Sequence, residues 1–348
     1  MAKGTMKGVV FTGDRTLEVR ELPLPRPGPG EVLVQLKRAA ICGSDLHVYR
    51  QPRAHFAGRP GWVPGHEPSG VVAELGEFCR RVRVGDRVTV YHYMGCGHCP
   101  ECLAGYIQFC PERRGLGQPT TVGPDADYMV VDERNCLLLP EALSYEDGAM
   151  IACIAGTGYS AARKLRPNGE DTIAVFGLGP VGLMGLLMVK AMGARVIGID
   201  PVAERRALAS GLGADHVVDP GEGDLAAAVR ELTGGAGADG ALETSGSVAA
   251  HRGVIDVLRT NGRGVFVGFG SEAPSVNLTA IIGRQLTLMG SFVMPIHYYQ
   301  DLVDFMLAHD LPASFQRMIT HRFPLAEAAE AFRVADEGKS GKVMFVWD

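Results

Sequence analysis

The sequence predicts an α/β protein of two domains. The chain has 348 residues, a length typical of about two domains. In its first half, β-branched segments at 31–41, 70–75 and 86–91 are separated by glycine and proline, which indicates a compact β-barrel-like domain with long loops. From about residue 154, apolar strands alternate with helical patterns. This alternation is typical of a doubly wound parallel sheet with helices on both faces.

The elements of the second half follow in a regular order. Residues 171–177 and 194–200 are continuous apolar runs, typical of strands that are buried on both faces. A helical pattern follows each run, and the alternation continues until it fades near residue 295. Residues 325–338 then predict a helix, and residues 342–347 predict a terminal strand.

Composition and charge exclude several classes of protein. Hydrophobic residues make up 46% of the chain and charged residues 21%, so we expect a sizeable core. The net charge is −5, which argues against a nucleic-acid partner because phosphates are bound by basic patches. The sequence shows no secretory signal pattern and no run of about 18 apolar residues. We therefore expect a cytoplasmic protein without a membrane partner.

One short segment, CGHCPECLAGYIQFC, contains Cys96, Cys99, Cys102 and Cys110 with the spacing C-x2-C-x2-C-x7-C. Because no secretion signal is present, metal binding explains these thiols better than disulfides do. Four closely spaced thiolates suit a closed tetrahedral Zn²⁺ site. A redox switch is the alternative interpretation.

A glycine-rich turn follows the strand at 171–177. Gly177, Gly179 and Gly182 match the pattern G-x-G-x-x-G, and Pro180 and Val181 open the following helix. The first glycine allows the tight turn, the second lets a pyrophosphate approach the backbone, and the third lets helix and strand pack closely. The positive end of the helix dipole would then face the phosphates. The turn therefore predicts a dinucleotide site.

Asp200 closes the next strand, where an acidic residue can bond the ribose 2′-hydroxyl of the cofactor. A carboxylate there repels a 2′-phosphate, so NAD is favoured over NADP. Arg205 and Arg206 lie nearby, and arginines can bind that phosphate. The alternative is that Asp200 only caps the start of a helix.

Three further residues, Cys42, His66 and Cys153, are far apart in sequence, and spacing alone does not join them. A lone cysteine or histidine is more often structural than a ligand. The segment 65–79, GHEPSGVVAELGEFC, however, resembles the zinc signature of the zinc-containing alcohol dehydrogenases of the medium-chain dehydrogenase/reductase superfamily. The four-cysteine segment and the glycine-rich turn occur in the same order as in that family, so the resemblance spans nearly the whole chain.

The resemblance implies a catalytic zinc held by Cys42, His66 and Cys153. This Cys₂His ligand set is the one that alcohol dehydrogenases use. Glu67 would be a fourth, displaceable ligand or a nearby charge. Asp45 resembles the acid that orients the ligand histidine, and its alternative role is that of a loop cap.

The resemblance also implies a path for the proton and contacts to the cofactor. Ser44 would contact the substrate hydroxyl, and His47 would pass the proton outward. The remaining positions that match cofactor contacts of the family, three at the nicotinamide end and one at the pyrophosphate, are Thr157, Val267, Phe292 and Lys342. Lys342 would otherwise be a solvated surface lysine.

The implied fold is a GroES-like β-barrel catalytic domain, residues 1–153 and 296–348, with a zinc lobe at about residues 95–111. A Rossmann domain would occupy residues 154–295. The implied enzyme has two Zn²⁺ per chain and transfers hydride between NAD and a secondary alcohol or polyol, or the corresponding ketone. Threonine oxidation is one alternative, and a non-catalytic nucleotide-binding or redox-sensing relative is another. We also expect a homodimer or homotetramer.

Overall fold

The computed structural model describes residues 4–58, 62–118, 122–270, 272, 273 and 275–348. Within these residues the strands are β1 (Thr5–Gly13), β2 (Thr16–Pro23), β3 (Glu31–Ala40), β4 (Pro68–Leu75), β5 (Arg87–Val90), β6 (Tyr93–Met94), β7 (Arg114–Gly115), β8 (Tyr128–Asp132), β9 (Cys136–Leu138), β10 (Thr172–Phe176), β11 (Arg195–Ile199), β12 (His216–Val218), β13 (Ala238–Glu243), β14 (Leu258–Phe266), β15 (Thr287–Gly290), β16 (Ile319–Pro324) and β17 (Lys342–Val346).

The α-helices of the same residues are α1 (Gly43–Tyr49), α2 (Pro100–Leu103), α3 (Tyr145–Met150), α4 (Gly156–Leu165), α5 (Pro180–Ala191), α6 (Ala203–Gly211), α7 (Leu225–Leu232), α8 (Val248–Val257), α9 (Leu278–Gly283), α10 (Tyr299–Ala308), α11 (Leu311–Met318) and α12 (Ala328–Asp336). A π-helical turn, Ile151–Ala155, joins α3 to α4, and short 3₁₀ helices lie in the loops. Across the described ranges, no helix is both long enough and apolar enough to cross a bilayer.

The chain divides into two compact units. The first comprises Met1–Cys153, Pro295–Gln300 and Ile319–Asp348, and the second comprises Ile154–Met294 and Asp301–Met318. The sequence predicted that all of 296–348 would belong with the first unit, whereas the segment that contains most of α10 and all of α11 groups with the second. The strand–helix alternation has already faded there, so periodicity does not reveal which unit covers the apolar faces of these helices.

In the first unit the sheet is built around β3. This strand pairs antiparallel with β4, β8 and β17, and alternate side chains such as Val32, Val34 and Leu36 are buried in the core. The register pairs Ala39 with Pro68. The chain that leaves β3 therefore lies beside the chain that enters β4, and this brings the two predicted ligand segments together.

The last strand, β17, completes this end of the sheet. Met344 pairs with Ala40 of β3, and the Ile41 amide donates to the Val343 carbonyl at 3.0 Å. The first residue of β17, Lys342, is consequently placed next to the residues that follow β3.

The second unit is a Rossmann fold. Its six strands are all parallel and follow the order β12-β11-β10-β13-β14-β15, the arrangement of a doubly wound dinucleotide-binding sheet. Every residue of the central strand β10 is buried. This explains why its sequence is a continuous apolar run.

Glycine suits each of the three positions in the turn after β10 for a different structural reason. Gly177 has a φ of +81°, which favours glycine. A Cβ on Gly182 would lie 1.7 Å from the Gly177 carbonyl oxygen, whereas a Cβ on Gly179 would meet no atom within 4 Å. Gly182 therefore permits close packing of α5, and Gly179 leaves open space where a phosphate can approach.

Replacement of Gly182 by alanine should destabilise the protein, although alanine is the better helix former. The new Cβ overlaps the Gly177 oxygen, and overpacking of this kind costs about 1–3 kcal/mol. Urea unfolding followed by far-UV circular dichroism measures the loss. Gly283→Ala is the matched control, because a Cβ at this helical glycine has open space and should be neutral or stabilising. Equal stability of the two variants would contradict the packing role of Gly182.

Candidate functional site

Four predicted ligands from three separate segments meet in the first unit. Cys42 is the N-cap residue of α1, His66 and Glu67 directly precede β4, and Cys153 lies in the π-helical turn. One donor atom from each of the four lies within 4.8 Å of the others. π-Helical turns are rare and often occur at functional sites. The fold thus joins residues that sequence spacing alone does not connect.

Asp45 links two of these residues. Its carboxylate lies 3.0 Å from His66 Nδ1 and accepts the Cys42 backbone amide at 2.8 Å. Burial alone would lower the pKa of His66, but the charges of Asp45 and Cys42 raise it well above the usual value. Because Asp45 faces Nδ1, that nitrogen carries the proton and Nε2 is left to bind a metal.

Cys42 and Cys153 form a thiol pair. The hydrogen bond from Cys153 lowers the pKa of Cys42 well below its usual value against the effect of burial, and the charge of His66 lowers it further. The same hydrogen bond, together with burial, raises the pKa of Cys153. Without a metal, Cys42 is therefore the thiolate and Cys153 keeps its proton. A bound cation would let both thiols ionise. Two sulfurs, an imidazole nitrogen and a carboxylate form a donor set that fits Zn²⁺.

Lys342 and Glu67 form a fully buried ion pair. The Lys342 Nζ lies 2.5 Å from Glu67 Oε2, and neither side chain is exposed. Burial raises the pKa of Glu67 to about 8, although the Lys342 ammonium acts in the opposite direction. The structure therefore places Lys342 against a predicted zinc ligand, and its ammonium is buried and is not a solvated surface charge. No sequence pattern predicts this pairing.

The two residues of the predicted proton path lie on α1. Ser44 and His47 are both exposed and are three positions apart, so they share one face of the helix. They lie two and five positions after Cys42, on the helix that this ligand caps.

Two further residues, His92 and Asp125, lie beside the cluster. His92 Nδ1 lies 2.7 Å from the carbonyl oxygen of Ala152, and the ring packs 5.3 Å from that of His66. Burial and the charge of His66 lower the pKa of His92 to about 3, so the imidazole is neutral. Asp125 is fully buried, and burial and the Asp45 charge raise its pKa well above the usual value. Only tertiary contacts reveal these neighbours.

The four-cysteine segment folds into a lobe of its own, residues 95–111. The sulfurs of Cys96, Cys99, Cys102 and Cys110 lie within 4.8 Å of one another. Backbone amides of three of these residues donate to neighbouring sulfurs at 3.4–3.5 Å. Amide donors favour thiolates, and four sulfurs at this separation fit a closed zinc site.

In the second unit, Asp200 supports the glycine-rich turn. Its carboxylate accepts the Leu178 amide at 2.7 Å and the Val202 amide at 2.8 Å. Val202, and not Asp200, is the N-cap residue of α6, so the helix-cap interpretation does not hold. Arg205 Nη1 lies 3.5 Å from Asp200, which places the acid and a base together beside the turn.

The three residues predicted to contact the nicotinamide end all belong to the second unit. Thr157 is buried in the first turn of α4. The Val267 amide donates to the Glu243 carbonyl at 2.8 Å directly after β14. The Phe292 ring packs edge-on against that of Phe269 at 5.6 Å.

Two family models match the chain. Residues 28–141 match the alcohol dehydrogenase GroES-like domain, and residues 180–308 match the zinc-binding dehydrogenase domain. The chain is 37% identical to the zinc-type alcohol dehydrogenase-like protein YphC of Escherichia coli, over 98% of each chain. It is 36% identical to D-arabitol-phosphate dehydrogenase of Enterococcus avium, over 98% of this chain and 97% of the relative. It is 31% identical to L-threonine 3-dehydrogenase of Xanthomonas euvesicatoria, over 95% of this chain and 96% of the relative.

Solved structures agree with these relatives. The alcohol dehydrogenase TADH from Thermus sp. ATN1 superposes with a TM-score of 0.89 at 30% identity, over 98% of this chain and 99% of that one. An E. coli alcohol dehydrogenase complexed with NADH superposes with a TM-score of 0.88 at 28% identity, over 99% of this chain and 100% of that one. A zinc-binding dehydrogenase from Sinorhizobium meliloti bound to NADP superposes with a TM-score of 0.87 at 27% identity, over 99% of this chain and 100% of that one.

Replacement of Lys342 by methionine should destabilise the protein strongly. It leaves the Glu67 carboxylate buried without its cation, and loss of one partner of a buried pair costs about 3–5 kcal/mol. Urea unfolding at about pH 9, above the pKa of about 8 at which Glu67 ionises beside Lys342, measures this loss. The double variant Lys342→Met/Glu67→Gln removes both charges and should regain most of the stability.

Lys190→Met is the matched control, because Lys190 pairs with Asp215 at 2.8 Å while both side chains are about a third exposed. Such a pair contributes about 0–1 kcal/mol. A Lys342→Met variant that loses no more stability than Lys190→Met would show that the buried pair does not stabilise the fold.

Proposed function

The chain belongs to the zinc-containing alcohol dehydrogenases of the medium-chain dehydrogenase/reductase superfamily, and on this premise we propose that it interconverts a secondary alcohol or polyol and the corresponding ketone with NAD. It is thus an oxidoreductase that uses zinc and a nicotinamide cofactor. The observation that carries the proposal is the convergence of Cys42, His66 and Cys153 within 4.8 Å. The glycine-rich turn after β10 provides the place for the cofactor.

We assign Cys42, His66 and Cys153 as ligands of a catalytic zinc, with Glu67 as a displaceable ligand or adjacent charge. When bound, zinc stabilises the alkoxide form of a substrate alcohol. Asp45 holds the imidazole of His66 in the orientation and tautomer that a ligand needs. Cys96, Cys99, Cys102 and Cys110 would hold a second, structural zinc. This assignment gives two zinc ions per chain.

The substrate proton must leave a site whose ligands are partly or fully buried. We propose that the Ser44 hydroxyl accepts it from the substrate and that His47 passes it to bulk water. Both side chains are exposed on one face of α1, which suits a short relay to solvent. The carbinol hydrogen would leave as hydride to the nicotinamide, which Thr157, Val267 and Phe292 of the second unit would position.

We propose that the cofactor is NAD. The Asp200 carboxylate lies at the end of β11 and is held by two backbone amides, where its charge would repel a 2′-phosphate. Arg205, at 3.5 Å from Asp200, would bind the adenosine ribose. Gly177, Gly179 and Gly182 shape the turn that would hold the pyrophosphate, and Pro180 and Val181 present the start of α5 to it.

The substrate class rests on the relatives. Relatives named as D-arabitol-phosphate and sorbitol dehydrogenases favour a polyol. L-Threonine 3-dehydrogenases at 31–32% identity favour threonine as the second candidate. We further propose a homodimer or homotetramer, since β15 is an edge strand of its sheet and the nearby Leu278 and Ile282 are largely exposed. Edge strands with exposed apolar neighbours favour pairing between copies.

Replacement of Cys42 by alanine tests the proposed function. The wild-type chain should contain two zinc ions and reduce NAD with at least one substrate from a panel of secondary alcohols, polyols and threonine. Cys42→Ala should contain one zinc and lose turnover by at least about 1,000-fold, because the alkoxide is no longer stabilised. Metal analysis and NADH absorbance measure both properties.

Cofactor binding separates catalysis from folding in this experiment. Cys42→Ala should bind NADH as tightly as the wild type, measured by fluorescence titration. Cys79→Ala is the matched control, because Cys79 is a half-buried thiol outside both ligand clusters, and it should keep both zinc ions and full activity. Turnover that survives in Cys42→Ala would refute the assignment of this zinc as catalytic.

Replacement of Asp200 by asparagine should shift the cofactor preference toward NADP. The amide keeps one of the two oxygens that accept backbone amides and removes the charge that repels a 2′-phosphate. Hydrogen bonds to charged groups contribute about 1.5–3 kcal/mol, so the ratio of kcat/KM for NAD to that for NADP should fall about 10- to 100-fold. Asp224→Asn, at the exposed N-cap of α7, is the control and should leave the ratio unchanged. An unchanged ratio in Asp200→Asn would contradict the role of Asp200.

A further inference from the structure

Arg134 lies in a 3₁₀ turn, Glu133–Asn135, between β8 and β9. Its guanidinium is fixed by Asp132, with Nε 2.9 Å from Oδ1 and Nη2 2.5 Å from Oδ2. The Asp132 carboxylate also accepts the Arg134 backbone amide at 2.9 Å. A guanidinium held at two points keeps a defined orientation, so the remaining N–H groups of Arg134 point in a fixed direction.

That direction is toward the zinc lobe. Arg134 Nη2 donates to the Gly95 carbonyl oxygen at 3.2 Å. On the other side of Cys96, a Cβ on Gly97 would lie 1.7 Å from Arg134 Nη1. The guanidinium therefore rests against both neighbours of the first zinc-lobe cysteine, and Gly97, whose φ of +85° favours glycine, leaves space for it.

The residue after Arg134 holds the strand that leads into the lobe. The Asn135 side-chain amide donates to the Tyr91 carbonyl at 2.7 Å and to the Tyr93 carbonyl at 2.6 Å. Residues 132–135 thus bind the chain both before the lobe and at its first ligand. This turn joins the lobe to the barrel sheet through β8 and β9.

The positive charge of Arg134 gives its contact with the zinc lobe a second role. Four thiolates around one Zn²⁺ carry a net charge of −2, and three of the four lobe cysteines, Cys96, Cys99 and Cys102, are only partly buried. Hydrogen bonds to Asp132, together with the charges of Asp132, Cys102 and Cys96, raise the pKa of Arg134. A permanent cation beside the site offsets part of the thiolate charge.

We propose that Arg134 is a positioning residue for the four-cysteine zinc site: it fixes the backbone around Cys96 and offsets the charge of the thiolates. The proposal depends on zinc binding by the lobe and not on the substrate or on catalysis. Residues that support metal ligands commonly affect metal affinity by 10- to 100-fold. Loss of Arg134 should therefore be seen first in zinc retention.

The rate of zinc release to the chromogenic chelator 4-(2-pyridylazo)resorcinol tests this proposal. The full chain with Cys42→Ala is the background, because its remaining zinc is that of the lobe. Adding Arg134→Gln should accelerate release by about 10- to 100-fold. Arg134→Lys keeps the charge without the forked contacts and should give an intermediate rate. Arg113→Gln removes an exposed arginine of the adjoining segment and should leave the rate unchanged.

Cobalt substitution provides a readout that a general loss of stability does not change. In the cobalt-loaded lobe, the thiolate-to-metal absorption bands should shift in Arg134→Gln and keep their position in Arg113→Gln. Should Arg134→Gln fail to fold, Asp132→Asn tests the same contact, because it keeps the arginine but frees its orientation, and it should also release zinc faster.

Several outcomes would overturn the proposal. Release from Arg134→Gln at the Arg113→Gln rate would show that Arg134 does not support the site. Zinc release from Arg134→Lys at the same rate as from Arg134→Gln would show that the positive charge of Arg134 does not support the site. A background protein without lobe zinc would leave no site to position, whereas absence of turnover in the wild type would affect only the proposed function.

Discussion

The burial of Glu67 beside two thiols is the constraint on which the first unit depends. A carboxylate and thiolates in a low-dielectric interior cost several kcal/mol unless cations compensate them. Lys342 supplies one cation from the last strand, at 2.5 Å from Glu67, and the pairing of β17 with β3 places it there. The final segment must therefore return to the first unit after the chain has passed through the second. The charge balance of the site therefore depends on the pairing of β17 with β3 in the sheet.

The two proposed zinc sites solve the ligand problem in different ways. Cys42, His66 and Cys153 come from three distant segments, and the sheet register and a π-helical turn bring them together. The lobe cysteines all lie within 96–110, so short turns with amide-to-sulfur hydrogen bonds are enough. The first site is thus organised by the folded core. The lobe buries little apolar surface of its own and depends on its metal and on the contact with Arg134.

These differences explain how much could be predicted from the sequence. The four-cysteine segment and the glycine-rich turn are local, so spacing alone predicted zinc and a dinucleotide, and the relatives confirm both groups of cofactor. The strand–helix alternation predicted the Rossmann sheet correctly for the same reason. Cys153 needed the family resemblance, because it meets its partners only through tertiary structure. The Lys342–Glu67 pair could not be predicted, since a lysine at the start of a strand carries no local sign of burial.

The charges around the first site also indicate why a divalent cation belongs there. Asp45, Glu67 and the Cys42 thiolate are acidic groups in one buried region, and Lys342 alone among the described residues offsets them with a permanent positive charge. The structure compensates this excess by keeping protons on its groups, which is why the pKa of His66 is raised. A divalent cation removes the need for those protons and frees the imidazole and both thiols as ligands. The same charge balance explains why zinc affinity, protonation and the stability of the first unit are coupled properties of this chain.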